Sequence, residues 1–257
     1  MSRIFITGSS DGLGLSAGRH LIEQGHAVVL HARNHERADQ TRAAAPQAEA
    51  VVVGDVSRVD DTEDVARQVN DLGPFDAVIH NVAIGYREPR RISTPDRHAH
   101  LLAVNVLAPY ILTARIDRPE RLVYLTSGMH QSGSPSTHDL DWKARPWNGA
   151  QAYADSKLYD LTLAFAVARR WPEVRSNAVD PGWVPTRMGG PSAPDDLEQG
   201  HVTQSWLATS DDPDALVTGG YFRGRRTLSS HTAARSVDFQ DELLAALADL
   251  TGVALPA

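Results

Sequence analysis

The stretch "RIFITGSSDGLG", residues 3 to 14, decides the fold. A short apolar run is followed by three glycines, Gly8, Gly12 and Gly14, and a helical pattern starts at about residue 12. Glycine permits a tight turn and lets backbone N–H groups approach an anion at the positive end of a helix. A glycine trio between a first strand and a first helix therefore predicts a dinucleotide site, the alternative being a turn that only joins the two elements.

Strand-like runs alternate with helical patterns along the rest of the chain. Most of the runs are almost continuously apolar, as in strands that are covered on both faces of a parallel sheet. The predicted strands are residues 3 to 7, 27 to 32, 50 to 55, 75 to 81, 121 to 126 and 174 to 180, and the predicted helices are residues 12 to 24, 35 to 44, 59 to 71, 96 to 113 and 150 to 170. The alternation predicts right-handed crossovers and one α/β domain of the doubly wound Rossmann type over residues 1 to 257.

The pattern loosens after residue 182. A stretch rich in Pro, Gly and acidic residues leads into a helical pattern over 195 to 210, a seventh strand is predicted within 215 to 224, and an amphipathic helix covers about 236 to 250. The loop region, about 183 to 210, follows the carboxyl end of a strand. Ligands bind at that end in such sheets, so we expect a substrate loop there.

Composition excludes several classes of function. The formal net charge of -7 argues against nucleic acid or an anionic membrane as a partner, and the absence of cysteine excludes disulfides and thiolate chemistry. The apolar run at the start is too short for a signal peptide, and no stretch is long enough for a membrane span, so we expect a soluble cytoplasmic protein. His98 and His100 do not share a helix face, and we expect no metal site.

The end of the second predicted strand bears on the choice of cofactor. An acidic residue there would bind the ribose 2′-hydroxyl of NAD, but this chain has Ala32 and Arg33. An arginine can pair with a 2′-phosphate, so the sequence favours NADP (NADPH) over NAD, unless Arg33 is only a solvated surface residue. Asp55, after the third strand, is placed to bind the adenine or to cap a turn.

Tyr153 and Lys157 lie four residues apart in "AYADSKLYDL", residues 152 to 161, and so share one face of a predicted helix. A free phenol has a pKa of about 10, and a nearby ammonium lowers it toward neutrality. Lys157 is one of two lysines in a chain with 23 arginines. The pair predicts proton transfer, although a Tyr and a Lys at this spacing also occur on ordinary helix surfaces.

Seven motifs occur together in one order: "TGSSDGLG" (7 to 14), "GDV" (54 to 56), "HNVA" (80 to 83), "AVNVLAP" (103 to 109), "LTSG" (125 to 128), "YADSK" (153 to 157) and "DPGWVPT" (180 to 186). Through them the chain resembles the short-chain dehydrogenase/reductase family over residues 7 to 186, about 70% of its length. The resemblance implies Tyr153 as general acid in reduction and Lys157 as the group that lowers its pKa and binds the ribose. It implies Ser127 as hydrogen-bond donor to the carbonyl, and Asn105 as holder of a water in a proton relay.

The resemblance also implies a set of cofactor contacts. Besides Tyr153 and Lys157 they are Gly8, Ser10, Gly12, Leu13, Gly14, Arg33, Asp55, Val56, Asn81, Ala83, Pro181, Gly182, Val184 and Thr186. The segment 181 to 186 resembles the one that closes over the nicotinamide in this family, where Thr186 would bind the carboxamide. Hydride transfer belongs to the nicotinamide, and the protein supplies orientation and the proton.

The chain departs from the family pattern at two places. Ala83 stands where the family has glycine, and a positive φ there would cost about 1 kcal/mol. Ser127 and Tyr153 are 26 residues apart, about twice the commonest spacing in the family. The longer segment resembles that of retinol-dehydrogenase-like and bacterial ketoreductase members, and it places His130, Trp142 and Trp147 either in the substrate pocket or in ordinary loop packing.

Three rival functions are open to comparison. A serine hydrolase would need G-x-S-x-G around Ser127, but Leu125 and Met129 occupy the glycine positions. An epimerase or dehydratase of the longer related branch would show G-x-x-G-x-x-G and a larger C-terminal domain. A non-enzymatic NADP(H)-binding or sensing protein on the same fold would typically lack the tyrosine or the lysine.

With all four catalytic residue types present, the sequence predicts an NADP(H)-dependent carbonyl reductase or alcohol dehydrogenase that acts on a small-molecule carbonyl or alcohol. Helix 150 to 170 is apolar on more than one face. It therefore packs either on a partner subunit of a homo-oligomer or beneath the longer segment within a monomer. The substrate itself is not predicted.

Overall fold

An eight-stranded sheet in the order β3-β2-β1-β4-β5-β6-β7-β8 forms the centre of the computed structural model, which describes residues 1–257. The strands are β1 Arg3–Ile6, β2 Ala27–Ala32, β3 Ala50–Val53, β4 Ala77–His80, β5 Arg121–Leu125, β6 Arg175–Val179, β7 Tyr221–Arg223 and β8 Arg226–Thr227. All pairs are parallel except the last, in which β8 runs antiparallel to β7. The doubly wound fold is confirmed, with one short edge strand more than the sequence predicts.

Helices cover both faces of the sheet. They are α1 Gly12–Glu23, α2 His35–Ala44, α3 Val59–Asp71, α4 His100–Leu102, α5 Ala108–Arg115, α6 Gly149–Arg170, α7 Val202–Thr209 and α8 Val237–Thr251, and a π-helical turn over Ala103–Leu107 joins α4 to α5. Alternate residues of β1 enter two separate apolar cores: Ile4 and Ile6 pack in one with residues of α1 and α7, and Phe5 packs in the other with residues of α3, α5, α6 and α8.

The strand order reverses between β1 and β4, because the chain crosses from one side of β1 to the other after β3. At such a switch point the connections leave in opposite directions and open a crevice at the carboxyl ends of the strands. The glycine loop after β1 and the segment after β4 therefore meet at the same edge of the sheet.

Two predicted helices are shorter than expected. The one predicted over 96 to 113 begins only at His100, because Ser93 pairs with Ala99 and Arg97 adopts a φ of 68° in a turn. The one predicted over 195 to 210 is helical only over Val202–Thr209, since turns occupy the residues before it. No helix is long and apolar enough to cross a bilayer.

The excursion, residues 128–148, packs tightly against α6. It begins with a 3₁₀ helix over Gly128–Ser132. A Cβ on Gly133 would lie 2.8 Å from the carbonyl oxygen of Ala154, so only glycine allows this approach. Residues 152–167 of α6 are buried, and the helix packs against β5 and β6 of the sheet, the 3₁₀ helix of the excursion and α8.

Candidate active site

Four side chains predicted to act together converge at the carboxyl end of β5. Ser127 follows β5, Tyr153 and Lys157 lie on the second and third turns of α6, and Asn105 lies in the π-helical turn. The hydroxyl of Thr126 donates to the carbonyl oxygen of Lys157 at 2.7 Å, which fixes α6 against the end of β5. The fold thus brings together residues that are up to 52 positions apart in the chain.

Tyr153 is 7% exposed, and its ring packs against that of Tyr86. The ring of Tyr86 meets its ring edge-on, with 5.8 Å between the centroids. Burial raises the pKa of Tyr153 above the usual value for a phenol, although the ammonium of Lys157 and hydrogen bonding to Ser127 lower it. The phenol is therefore protonated at neutral pH, which is the form that a general acid needs.

Lys157 is buried, and its Nζ lies 5.8 Å from the centre of the Tyr153 ring. Nζ donates to the carbonyl oxygen of Leu125 at 2.7 Å and to Asp160 Oδ2 at 2.8 Å. Burial alone would lower the pKa of Lys157, but the charge of Asp160, the interaction with Tyr153 and the hydrogen bond to Asp160 together outweigh burial and hold the pKa above its usual value. The lysine remains a cation beside the phenol.

Asn105 is fully buried in a π-helical turn, a helix irregularity that often occurs at functional sites. Its Oδ1 accepts from the backbone N–H of Ile84 at 2.8 Å, and its Nδ2 donates to the Ile84 carbonyl and to Ser156 Oγ, each at 3.1 Å. Both amide protons are thus used within the protein. The side chain joins α6 to the segment that follows β4.

The glycine loop has the geometry of an anion cradle. Gly8 and Gly12 have φ values of 59° and 51°, and a Cβ on Gly14 would lie 2.4 Å from Asn81 Nδ2. The backbone N–H groups of Leu13 and Gly14 have no acceptor within the chain at the N-terminus of α1. They are free to bind an anionic group.

Asn81 braces this loop from β4. Its Nδ2 donates to the carbonyl oxygens of Thr7 and Gly8 at 3.0 and 3.1 Å, whereas its buried Oδ1 has no partner. Ala83, two residues on, is not among the residues with a positive φ. Alanine in place of the family's glycine therefore causes no backbone strain at this position.

The segment after β6 lies over the glycine loop. Pro181 and Gly182 leave the strand, and Val184 is buried. A Cβ on Gly12 would contact the methyl group of Thr186 at 3.6 Å, and one on Gly200 would lie 2.7 Å from the Leu13 side chain. The predicted substrate-loop region thus includes a cover for the N-terminus of α1.

Arg33 was predicted to contact the adenosine end of the cofactor, but in the structure another arginine lies against the glycine loop. Arg33 is exposed, and its side chain makes no hydrogen bond or ion pair within the chain. Arg37, which the sequence interpretation missed, donates to the carbonyl oxygen of Ser10 at 3.1 Å and lies 3.5 Å from the carboxylate of Asp11. In the sequence, the only indication for Arg37 was its place in the first turn of the helix that follows the second strand.

Asp55 and Val56, also predicted to contact the adenosine end, follow β3. Asp55 is exposed, and its Oδ1 accepts from the backbone N–H of Ser57 at 3.0 Å, as in the turn-capping alternative. Val56 is buried in the core. The carboxylate has a second oxygen that remains free to accept a hydrogen bond.

His130, Trp142 and Trp147 occupy different places in the excursion. His130 is fully buried behind Ser127, where its Nδ1 lies 2.7 Å from the Ser127 carbonyl oxygen, so it does not line a pocket. Burial lowers its pKa. The two tryptophan rings pack edge-on, 5.5 Å apart, in a cluster that includes Leu101 and Tyr153.

Two acidic residues near Tyr153 and Lys157 were not predicted. Asp160 contacts Lys157, and Asp180, at the end of β6, accepts from Tyr221 Oη at 3.3 Å. Both charges act to raise the pKa of Tyr153. The signal for Asp160 was present in the sequence, because it lies three residues after Lys157 and so shares a face of the same helix.

Comparison with known protein families supports the resemblance found in the sequence motifs. A family model described as Enoyl-(Acyl carrier protein) reductase matches residues 8–216. The uncharacterized oxidoreductase AN7799 of Emericella nidulans is 42% identical over 260 residues, which cover 100% of this chain and 99% of the relative. Short-chain dehydrogenase chry4 of Gibberella zeae is 39% identical with the same coverage.

Solved structures show the same fold. A crystal structure of an uncharacterized protein from Mycobacterium paratuberculosis has a TM-score of 0.84 at 24% identity and covers 100% of this chain and 96% of its own. The crystal structure of a blue fluorescent protein from a metagenomic library, in complex with NADPH, has a TM-score of 0.69 at 20% identity and covers 86% of this chain and 95% of its own. At these identities the likeness concerns the fold alone.

Proposed function

The chain belongs to the short-chain dehydrogenase/reductase family of oxidoreductases, and from that premise we propose that it is an NADP(H)-dependent enzyme acting on a carbonyl or alcohol. The observation that carries this proposal is the buried Lys157 ammonium, 5.8 Å from the ring of Tyr153, beside Ser127 at the carboxyl end of β5. The arrangement suits transfer of one proton to or from a substrate oxygen.

The residues at the glycine loop fit a dinucleotide. The free N–H groups of Leu13 and Gly14 would bind the pyrophosphate, and the unpartnered Asn81 Oδ1 would accept from a donor of the dinucleotide such as a ribose hydroxyl. Thr186 and Val184 would cover the bound molecule. When bound, the nicotinamide supplies or accepts the hydride.

The chain's own residues supply the rest of the chemistry. In reduction, the Ser127 hydroxyl donates a hydrogen bond to the carbonyl oxygen, and Tyr153 gives its proton to that oxygen as negative charge develops. Lys157 stabilises the phenolate that Tyr153 leaves behind. In alcohol oxidation the proton moves in the opposite direction. Because burial raises the pKa of Tyr153, the protonated phenol, which is the form required for reduction, predominates near neutrality.

The direct test is turnover by the purified protein with NADPH and a panel of ketones and aldehydes, followed by the loss of NADPH absorbance. Carbonyl-dependent oxidation of NADPH is the expected result. The alternative, a non-enzymatic NADP(H)-binding or sensing protein, predicts tight NADPH binding without turnover of any carbonyl in the panel.

Arg33 is proposed to select NADP over NAD. Arg33→Ala is expected to raise the Kd for NADPH by roughly 10- to 100-fold, the usual loss when a charge-assisted hydrogen bond is removed, and to leave the Kd for NADH nearly unchanged. Fluorescence titration with both cofactors measures this. Arg42→Ala, in an exposed ion pair with Asp39 on α2, is the matched control. Equal losses for both cofactors would refute a 2′-phosphate contact by Arg33.

A further inference from the structure

A buried ion pair lies directly behind the catalytic tyrosine. Lys157 and Asp160 are 1% and 3% exposed, and Lys157 Nζ lies 2.8 Å from Asp160 Oδ2. The other carboxylate oxygen of Asp160, Oδ1, is buried and has no hydrogen-bond partner. Lys157 is therefore the one group that neutralises this carboxylate, and a buried charge with a single partner is costly to keep.

The three residues share one face of α6. Tyr153, Lys157 and Asp160 are spaced i, i+4 and i+7, so the ammonium lies between the phenol and the carboxylate. The lysine side chain is fixed at two points, by Asp160 and by the carbonyl oxygen of Leu125 at 2.7 Å. Its third N–H is left to act toward Tyr153 or a bound ribose.

We propose that Asp160 is a positioning residue of the enzyme: it holds Lys157 at the end of β5, and its negative charge opposes formation of the Tyr153 phenolate. This inference rests on the proposed function. One face of α6 thus carries, in chain order, the proton donor Tyr153, the cation Lys157 and the anion Asp160. Asp160 weakens the effect of the cation on the phenol while it keeps that cation in place.

The electrostatics of the site agree with this arrangement. The charge of Asp160 raises the pKa of Tyr153, against the lowering effect of Lys157. Burial raises the pKa of Asp160 itself to about 6, although Lys157 lowers it, so the carboxylate is ionised at neutral pH and above. Over the pH range in which Tyr153 titrates, Asp160 therefore carries a constant negative charge.

Two other titratable groups from neighbouring elements interact with this set of residues. The charge of Asp160 raises the pKa of Tyr124 on β5, and Asp180, at the end of β6, lies beside Tyr221 and Arg223 of β7. Asp180 also raises the pKa of Tyr153. All of these groups remain when only Asp160 is changed, so a substitution at Asp160 acts on Tyr153 only through the lost charge and through Lys157, which Asp160 holds in place.

Asp160→Asn removes the charge and keeps an oxygen that can accept from Lys157. Seven residues of helix span about 10.5 Å, and one charge at that distance in an effective dielectric of about 20 shifts a pKa by roughly one unit. The pKa of Tyr153 is therefore expected to fall by about one unit in the variant. In the pH profile of alcohol oxidation, the limb that requires phenolate should move down by the same amount.

The primary measurement is an ultraviolet titration of tyrosinate that requires no substrate. Subtracting the curve of Tyr153→Phe from that of the wild type, and the curve of Tyr153→Phe/Asp160→Asn from that of Asp160→Asn, isolates Tyr153 in each background. Asp155→Asn is the matched control, because Asp155 is a buried carboxylate of the same helix that pairs with Arg145 instead of Lys157. It should leave the Tyr153 pKa unchanged.

A Tyr153 pKa that is equal in wild type and Asp160→Asn would overturn the proposal, even if activity falls, since a merely structural residue would lower activity without moving the titration. If Asp160→Asn does not fold, Asp160→Gln removes the same charge, keeps an oxygen that can accept from Lys157, and is read in the same way. Absence of turnover in the wild type would contradict the proposed function instead. In that case the titration of Tyr153, which needs no substrate, still decides whether Asp160 acts on the tyrosine.

Discussion

Tyr153→Phe is expected to reduce kcat for carbonyl reduction by about 10²- to 10⁴-fold, the range that a general acid contributes, while NADPH still binds with little change in Kd. The reason is that the substitution removes one hydroxyl and keeps the buried ring in place. Steady-state kinetics and a fluorescence titration of NADPH on the same preparation measure the two quantities.

Tyr86→Phe is the matched control for this experiment. It removes a hydroxyl from the ring that packs edge-on against Tyr153, 5.8 Å away, and keeps the packing itself. We expect it to retain most of the activity. Wild-type turnover in Tyr153→Phe would contradict the mechanism, and equal losses in both variants would show that packing, not proton transfer, is being measured.

Lys157→Arg is expected to lose most of the activity although it keeps the positive charge. The Lys157 side chain fills a buried space in which Nζ lies within 2.8 Å of two acceptors, and the broad planar guanidinium has no room to place one nitrogen at that point. A misplacement of about 1 Å costs roughly 10²-fold in rate. The ratio kcat/KM for the variant and the wild type measures this loss.

Lys143→Arg is the control, because Lys143 is the other lysine of the chain and its side chain is 58% exposed in an ion pair with Asp141. A surface ammonium of this kind tolerates arginine, and we expect unchanged kinetics. Full activity in Lys157→Arg would mean that any cation suffices beside Tyr153.

Much of the fold was predictable because its signals are local. The apolar runs of β1 and β2 and the glycine spacing 8, 12 and 14 locate the first crossover without reference to the rest of the chain. The late start of the helix at His100 was not predictable from periodicity. It depends on a turn in which Arg97 adopts a positive φ, and on pairing of Ser93 with Ala99.

The site was predictable in part because some of its signals are also local. Tyr153 and Lys157 share a helix face by spacing alone, and Ser127 follows a recognisable strand. By contrast, His130 is directed away from the proposed pocket because it packs edge-on against Tyr221, 91 residues later in the chain. Loop residues of this kind take their position from whatever they pack on, which periodicity does not report.

The sequence by itself determined the family, the doubly wound sheet and the candidate residues for proton transfer, because these follow from repeated local spacing and from motifs whose order is unbroken along the chain. Only the tertiary structure decided which charges surround those residues. Asp180 and Asp160 act on Tyr153 from a strand end and from the same helix, and Arg37 rather than Arg33 contacts the glycine loop. Electrostatic effects depend on distance through space and on burial, and both are properties of the folded chain.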